Sequence, residues 1–473
     1  MTSKSLILYK THNMTTEEIT KKLQAQDEFL ETGTLNDLEF KIQKLKALKQ
    51  EIKSQENAII KAIYKDFRKP EFEVLTTELF VVYKELNLFI KRLKSWQKPR
   101  RVSSAWLNFP SKDKIYRVAW GKVLIISPWN YPFQLAITPL IGAIACGNTV
   151  VLKPSEYAPH TADVMEKIIE NVFDHKQTLV CQGAVETAKN LLNQKWDYVF
   201  FTGSVPVGRI VSQEIAKNMT PHTLELGGKN PCIVDESANL DVAAKRICWG
   251  KFLNAGQTCI APDYLLIQHK IKDKFIQKLI ETLDEFYESD FENNPDYAGI
   301  ISQKHFERLV EFLKEEKLIF GGESDTESLH ISPTLVDAPD FDSKIMEEEI
   351  FGPILPIYIY ENFEELSDVI KRFDKPLSLY VFSTNKANIK KINRKFDFGG
   401  GVINDTIVHF VNDKLPFGGV GASGVGNYHG KHSFETFTRQ KSIVHRKNWL
   451  DIPIKYPPYN KVGLFKKFMN YFR

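Results

Sequence analysis

Between residues 35 and 60, apolar side chains recur at Leu38, Ile42, Leu45, Leu48 and Ile52, with lysines and glutamates between them. That spacing lays one apolar stripe along a helix. A second helical stretch is expected from Glu71 to Trp96, and both read as packing helices with no visible chemistry. Further along the pattern changes to short, continuous apolar runs separated by helical patterns: VLIIS (123–127), NTVVLK (148–153), TLVCQ (178–182) and DYVFFT (197–202). Such runs are what a parallel sheet covered on both faces requires, so a doubly wound α/β region is expected. A second set, CIVD (232–235), YLLIQ (264–268), LPIYIY (355–360) and SLYVF (378–382), predicts another α/β domain after about residue 225. Residues 105–109 and 114–120 flank Pro110-Ser111-Lys112-Asp113, which reads as a hairpin with a proline-initiated turn. Its exposed edges would need a cover, and subunit pairing is one.

The chain has 473 residues, 43% apolar and 26% charged, enough for a globular protein of roughly two to four domains. Lys and Arg total 63 against 59 Asp and Glu, a formal charge of +4 that gives no basis for a nucleic-acid partner. The most apolar window, Leu135 to Gly147, contains a proline and is far shorter than the ~20 residues a membrane-spanning helix needs. The N-terminus lacks the pattern of a secretory signal, so a cytoplasmic protein is expected. The five cysteines, at 146, 181, 232, 248 and 259, form no CxxC pair. Neither a disulfide framework nor a zinc site is suggested, and no metal is called for. One reactive thiol among buried ones fits the count.

Two glycine loops compete for a phosphate. GxGxxG occurs at Gly419-Val420-Gly421-Ala422-Ser423-Gly424, but no strand precedes it and no helix starts within it, so a flexible or tightly turned loop is expected. Thr202-Gly203-Ser204-Val205-Pro206-Val207-Gly208 is the better candidate, because it follows DYVFFT and leads into the helical pattern VGRIVSQEIAK. Gly203 suits the sharp turn, Ser204 a helix cap, Pro206 the first turn, and Gly208 close approach. A P-loop is disfavoured, since Arg209-Ile210 stands where Lys and Ser/Thr would be needed.

Three stretches supply a thiol, a carboxylate and an amide: Asn254-Ala255-Gly256-Gln257-Thr258-Cys259, Leu224-Glu225-Leu226-Gly227-Gly228-Lys229 and Ser127-Pro128-Trp129-Asn130-Tyr131-Pro132. Each alone has a plain structural reading: a buried thiol, a capping carboxylate, an Asx turn. Together with NTVVLKPSE, FFTGSVPVG, EEEIFGPILP, PLSLYVFS and LPFGGVGASGVGNYHGKHSFETF, they run in order from about residue 120 to 440. In these blocks the chain resembles the aldehyde dehydrogenases, and GKFLNAGQTCIAPDY and GNYHGKHSFETF resemble the class 3, fatty aldehyde dehydrogenase-like branch.

The resemblance implies an NAD(P)-dependent enzyme that oxidises medium- or long-chain aliphatic, or aromatic, aldehydes to acids. It makes Cys259 the nucleophile, gives the oxyanion the Asn130 amide and the Cys259 N–H, and makes Glu225 the base that activates water against the thioester. A free thiol titrates near ~8.5, so Cys259 would need help to ionise, and Glu225 would need a raised pKa. For the cofactor the resemblance implies Lys153 and Glu156 at the adenosine ribose, Gly203, Ser204 and Gly208 near the pyrophosphate, Glu349 and Phe351 at the nicotinamide riboside, and Trp129 as a further cofactor-binding residue. A carboxylate at Glu156 favours NAD, while NADP is also accepted in this branch. His409 resembles a pocket-lining histidine, and a structural histidine fits its context equally well.

The implied domains are a cofactor domain over 1–98 and 119–224, a catalytic domain over 225–413, a bridging and oligomerisation region over 99–118 and 414–450, and a tail over 451–473. A homodimer is implied. In KVGLFKKFMNYFR, Leu464, Phe465, Phe468 and Phe472 share one helical face opposite Lys466, Lys467, Asn470 and Arg473. Such a tail either packs on protein or lies on an anionic membrane. A coenzyme A-acylating relative or an inactive structural relative are the alternatives. The intact Glu225 argues against the first, and the three catalytic residue types argue against the second. The thirteen residues before Met14 depart from the family pattern, as an extension or a misassigned start.

Overall fold

The computed structural model describes residues 14–105, 108–287, 294–451 and 455–470. The N-terminal extension 1–13 and Phe472 of the tail fall outside them. The chain forms two compact units, one of residues 1–96 and 119–438, the other of residues 97–118 and 439–473. Residues 414–438, expected in the bridging region, thus group with the larger unit.

The smaller unit is built on a three-stranded sheet in the order β1 (Arg100–Val102), β2 (Ser111–Ala119), β18 (Thr438–Arg446). The expected turn at 110–113 is corrected here: Val102 pairs with Asp113 and Arg100 with Ile115, so Ser111–Asp113 is strand and the connection lies before it. Pro110, which has no N–H to give a ladder, stands just ahead of the strand.

The larger unit holds two main sheets. The first has the order β17 (Gly424–Val425), β7 (His222–Glu225), β6 (Tyr198–Thr202), β3 (Lys122–Ile126), β4 (Thr149–Lys153), β5 (Thr178–Val180). All its pairings are parallel except β17 with β7. The second has the order β10 (Leu318–Phe320), β13 (Thr334–Asp337), β14 (Ile354–Tyr360), β9 (Tyr264–Gln268), β8 (Pro231–Val234), β15 (Ser378–Phe382), β16 (Gly400–Ile403), antiparallel only at β10. A two-stranded ribbon, β11 (Ser324–Asp325) with β12 (His330–Ile331), stands apart. The eight apolar runs seen in the sequence all became strands, and the buried faces of β3, β4 and β6 explain why they show no alternation.

The helical stretch expected over 35–60 divides at Gln55 into Leu38–Ser54 and Glu56–Phe67, and Asp37 caps the first by accepting the Phe40 N–H. The stretch from Glu71 to Trp96 passes through a π-helical turn at Val74–Leu79 before the long helix Phe80–Trp96. Among the described residues, no helix is long and apolar enough to cross a membrane.

Candidate active site

In the first sheet the chain builds from β3 outward to β5, then returns to place β6 on the other side of β3. Strand order reverses between β3 and β6, and the crevice beyond the carboxyl ends of such strands is where open α/β sheets bind ligands. Beyond β3 lies Ser127-Pro128-Trp129-Asn130, at the end of β4 Lys153 with Glu156 following, and beyond β6 the turn at Gly203-Ser204. Glu225 is the last residue of β7, opposite Thr202 of β6 and Gly424 of β17, and its carbonyl accepts the Gly203 N–H.

The Glu225 carboxylate is buried, and neither of its oxygens has a hydrogen-bond partner. Burial therefore raises its pKa well above the ordinary carboxylate range. Cys259 is half-buried, between the helix Leu240–Phe252 and β9. Its thiol is pushed up by burial and then by the Glu349 and Glu225 carboxylates, while the Cys259 and Ile260 N–H groups pull it down. The Asn130 side-chain amide donates to the Gln257 carbonyl at 3.0 Å, which ties the amide to the nucleophile's own loop. The structure thus brings thiol, carboxylate and amide near one another.

Lys153 and Glu156 form an ion pair of 2.7 Å at the carboxyl end of β4. Ser204 caps the helix Val205–Ala216 by position only, for its hydroxyl makes no capping hydrogen bond. Gly208 lies against Leu226, where a Cβ would meet the leucine Cδ2 at 2.6 Å. Trp129 and Phe351 meet edge to face at 5.2 Å, with Phe351 in a left-handed backbone conformation at φ 51°. Glu349 packs on Gly227, where a Cβ would lie 2.0 Å from its Oε2. Burial raises Glu349 to about 8, and the Gly228 N–H and Lys229 act against that rise. The GxGxxG segment does not face this crevice as a strand-to-helix turn. It folds back tightly, with Gly424 donating to Gly421 and β17 closing the edge of the sheet on β7.

The family model described as "Aldehyde dehydrogenase family" matches residues 3–443. The chain belongs to the aldehyde dehydrogenase family. Similar proteins include 4,4'-diaponeurosporen-aldehyde dehydrogenase of Staphylococcus aureus, 46% identical over 457 residues, which cover 96% of this chain and 99% of the relative. Aldehyde dehydrogenase family 3 member A2 of Pongo abelii is 42% identical over 446 residues, 92% of each chain. The substrate-bound structure of Staphylococcus aureus AldH superposes with a TM-score of 0.94 at 45% identity, covering 96% of this chain and 99% of that one. The class 3 branch named from the sequence blocks stands with these relatives.

This aldehyde dehydrogenase therefore oxidises aldehydes, and its family uses NAD or NADP. The residues present fit a dinucleotide: an uncommitted Ser204 hydroxyl at a helix N-terminus, an ion pair at the carboxyl end of β4, and a buried carboxylate with no protein partner all lie along one sheet edge. Three participants were missed by sequence reasoning. Tyr428 is buried close enough to feel both Glu225 and Cys259, and only its place inside GNYHGKHSFETF hinted at it. The His305 ring packs 5.0 Å from Trp129, and burial lowers its pKa to about 4. Lys229 pairs with Asp263 at 2.6 Å and donates to the Glu348 carbonyl, while Asp263 accepts the Ile350 N–H. That buried pair braces the segment carrying Glu349 and Phe351. His409 is half-buried against Phe417 and within reach of the Ser378 hydroxyl, and desolvation lowers its pKa to about 4.

Proposed function

We propose that the enzyme oxidises medium- or long-chain aliphatic, or aromatic, aldehydes to carboxylic acids with NAD, NADP also serving. The observation that carries this reading is the buried, unpartnered Glu225 carboxylate beside Cys259. A coenzyme A-acylating enzyme has no use for a hydrolytic carboxylate held there. The Cys259 sulfur attacks the aldehyde carbonyl, and the Asn130 amide and the Cys259 N–H receive the developing oxyanion. When bound, the cofactor supplies the hydride acceptor for oxidation. Lys153 and Glu156 hold its adenosine ribose, Gly203, Ser204 and Gly208 its pyrophosphate, and Glu349 and Phe351 its nicotinamide end, with Trp129 a further contact to the cofactor. Glu225, once ionised, takes a proton from the water that attacks the Cys259 thioester, and the acid leaves.

The preference for apolar aldehydes rests on the aromatic box beside the centre, where Phe417 packs against Tyr428 and His429, and Phe410 against His429. In the same reading, 1–98 with 119–224 serve the cofactor, 225–413 carry the chemistry, and 99–118 with 414–450 bridge subunits of a cytoplasmic homodimer. The outer strand β18 supports the pairing, being exposed over most of its length. The basic helix Val462–Met469 docks on protein, with an anionic membrane as the alternative.

Steady-state kinetics over an aldehyde chain-length series, with each cofactor and with or without coenzyme A, test the reading. Rising kcat/KM with chain length and free acid as the product are expected. A coenzyme A thioester product, or a preference for short polar aldehydes, contradicts it.

A further inference from the structure

The segment from Lys69 to Glu78 reads in sequence as the start of a packing helix, yet it buries three charged side chains against the loops of the active centre. Lys69 and Glu78 are fully buried and paired at 3.0 Å. The other Glu78 oxygen accepts the N–H groups of Phe133 and Gln134, at 2.9 and 3.1 Å, just past Asn130. The Lys69 ammonium also lies 3.8 Å from the centroid of the Tyr131 ring, whose hydroxyl shares a 2.6 Å hydrogen bond with the Thr258 hydroxyl. The ion pair therefore touches the residue after Asn130 directly and reaches the residue before Cys259 through the Tyr131 hydroxyl.

Glu73 reaches the same loop from below. Its Oε2 accepts the Asn254 N–H at 3.0 Å. The Asn254 amide in turn donates to the carbonyls of Asn130 and Gln257. Asn254 and Ala255 sit at φ 56° and 51°, a left-handed conformation that residues with a Cβ avoid, and it persists only where the surroundings impose it. The π-helical turn explains why one short segment can serve both loops: its i to i+5 bonding brings residues five apart onto one face, and Glu73 and Glu78 are five apart.

We propose that Glu73 and the Lys69–Glu78 pair are positioning residues, which hold the Asn130 amide and the Cys259 loop in register for attack on the carbonyl. The proposal rests on the reading of Cys259 and Asn130 given above. It is tested on the full-length enzyme with Glu73→Asp, which withdraws the carboxylate by one methylene, and Glu73→Gln, which keeps an acceptor oxygen of the same reach. Both are conservative enough to fold, and kcat is expressed per folded molecule, with cofactor affinity read by fluorescence titration. A misplacement of this order lowers rates by about ten- to a hundredfold, so Glu73→Asp is expected to lose that much kcat, with Glu73→Gln within about threefold of the parent and cofactor affinity unchanged in both. Parent kcat in Glu73→Asp, equal losses in the Asp and Gln variants, or a loss of kcat that tracks cofactor affinity overturns it. Cys259→Ala is assayed alongside: turnover there refutes the reading of the centre and the proposal with it, whereas an inactive Cys259→Ala beside a fully active Glu73→Asp refutes the positioning role alone.

Discussion

The loop before Cys259 and the turn after β6 both connect regular elements in one unit, and they are built in opposite ways. The first is buried at Asn254 and Gln257, takes three successive left-handed residues from Asn254 to Gly256, and spends its polar groups internally: the Gln257 amide alone bridges Asn254, Gly299 and Ile301. The turn at Gly203-Ser204 has ordinary dihedrals, with Ser204 at φ −73° and ψ 153°, an uncommitted hydroxyl and an exposed Val207. A loop that aims a sulfur fixes its geometry in advance, whereas the turn after β6, proposed to meet the pyrophosphate, leaves the Ser204 hydroxyl uncommitted.

The comparison breaks most severely at the sulfur. Cys259→Ala is expected to lower turnover by roughly 10⁴-fold or more while leaving cofactor binding intact, measured by NADH formation and by fluorescence titration. Next comes the base: Glu225→Gln should keep a pre-steady-state burst of NADH and lose roughly 10²- to 10⁴-fold in steady-state rate, visible by stopped flow. A smaller effect belongs to the turn. Gly208→Ala drives a Cβ onto Leu226, an overpacking that should raise the cofactor KM about tenfold and spare kcat at saturation. Equal effects on kcat from both regions would erase the distinction drawn between them.

The smallest effect concerns pH and stability. Burial raises Glu73 and Glu85 from 4.5 to about 7. The folded protein therefore keeps protons there that the unfolded chain has released. Their contribution to stability is fully present below about 4.5 and is lost as pH rises through about 7. The Tm difference between pH 5 and pH 8 should accordingly shrink in Glu73→Gln, and an unchanged difference would argue that Glu73 ionises freely.

The strands were legible because burial on both faces leaves continuous apolar runs, and each run fell within about a residue or two of its strand. The strand-to-helix setting of Gly203–Gly208, which Gly419–Gly424 lacks, was legible too. The latter proved to be a clamp: a Cβ at Gly424 would meet the Leu224 carbonyl at 2.4 Å, so β17 closes directly on the strand that ends in Glu225. The hairpin was misread because Pro110 marks the start of a strand as readily as a turn. Lys69, Glu73 and Glu78 were illegible, because charged residues on a helix resemble a solvated face and nothing in the local pattern announces a π-helical turn. Their meaning comes from residues far along the chain, at 133 and 254, that only the fold brings near.

The central claim is a covalent acyl intermediate on Cys259 that Glu225 clears. The most direct measurement is peptide mass spectrometry of Glu225→Gln, quenched after mixing with a long-chain aldehyde and NAD. The account predicts a thioester mass increment equal to the acyl group on the peptide containing Cys259, absent without NAD and absent in Cys259→Ala. An increment on another residue, or full steady-state turnover with no trapped acyl group, would contradict it.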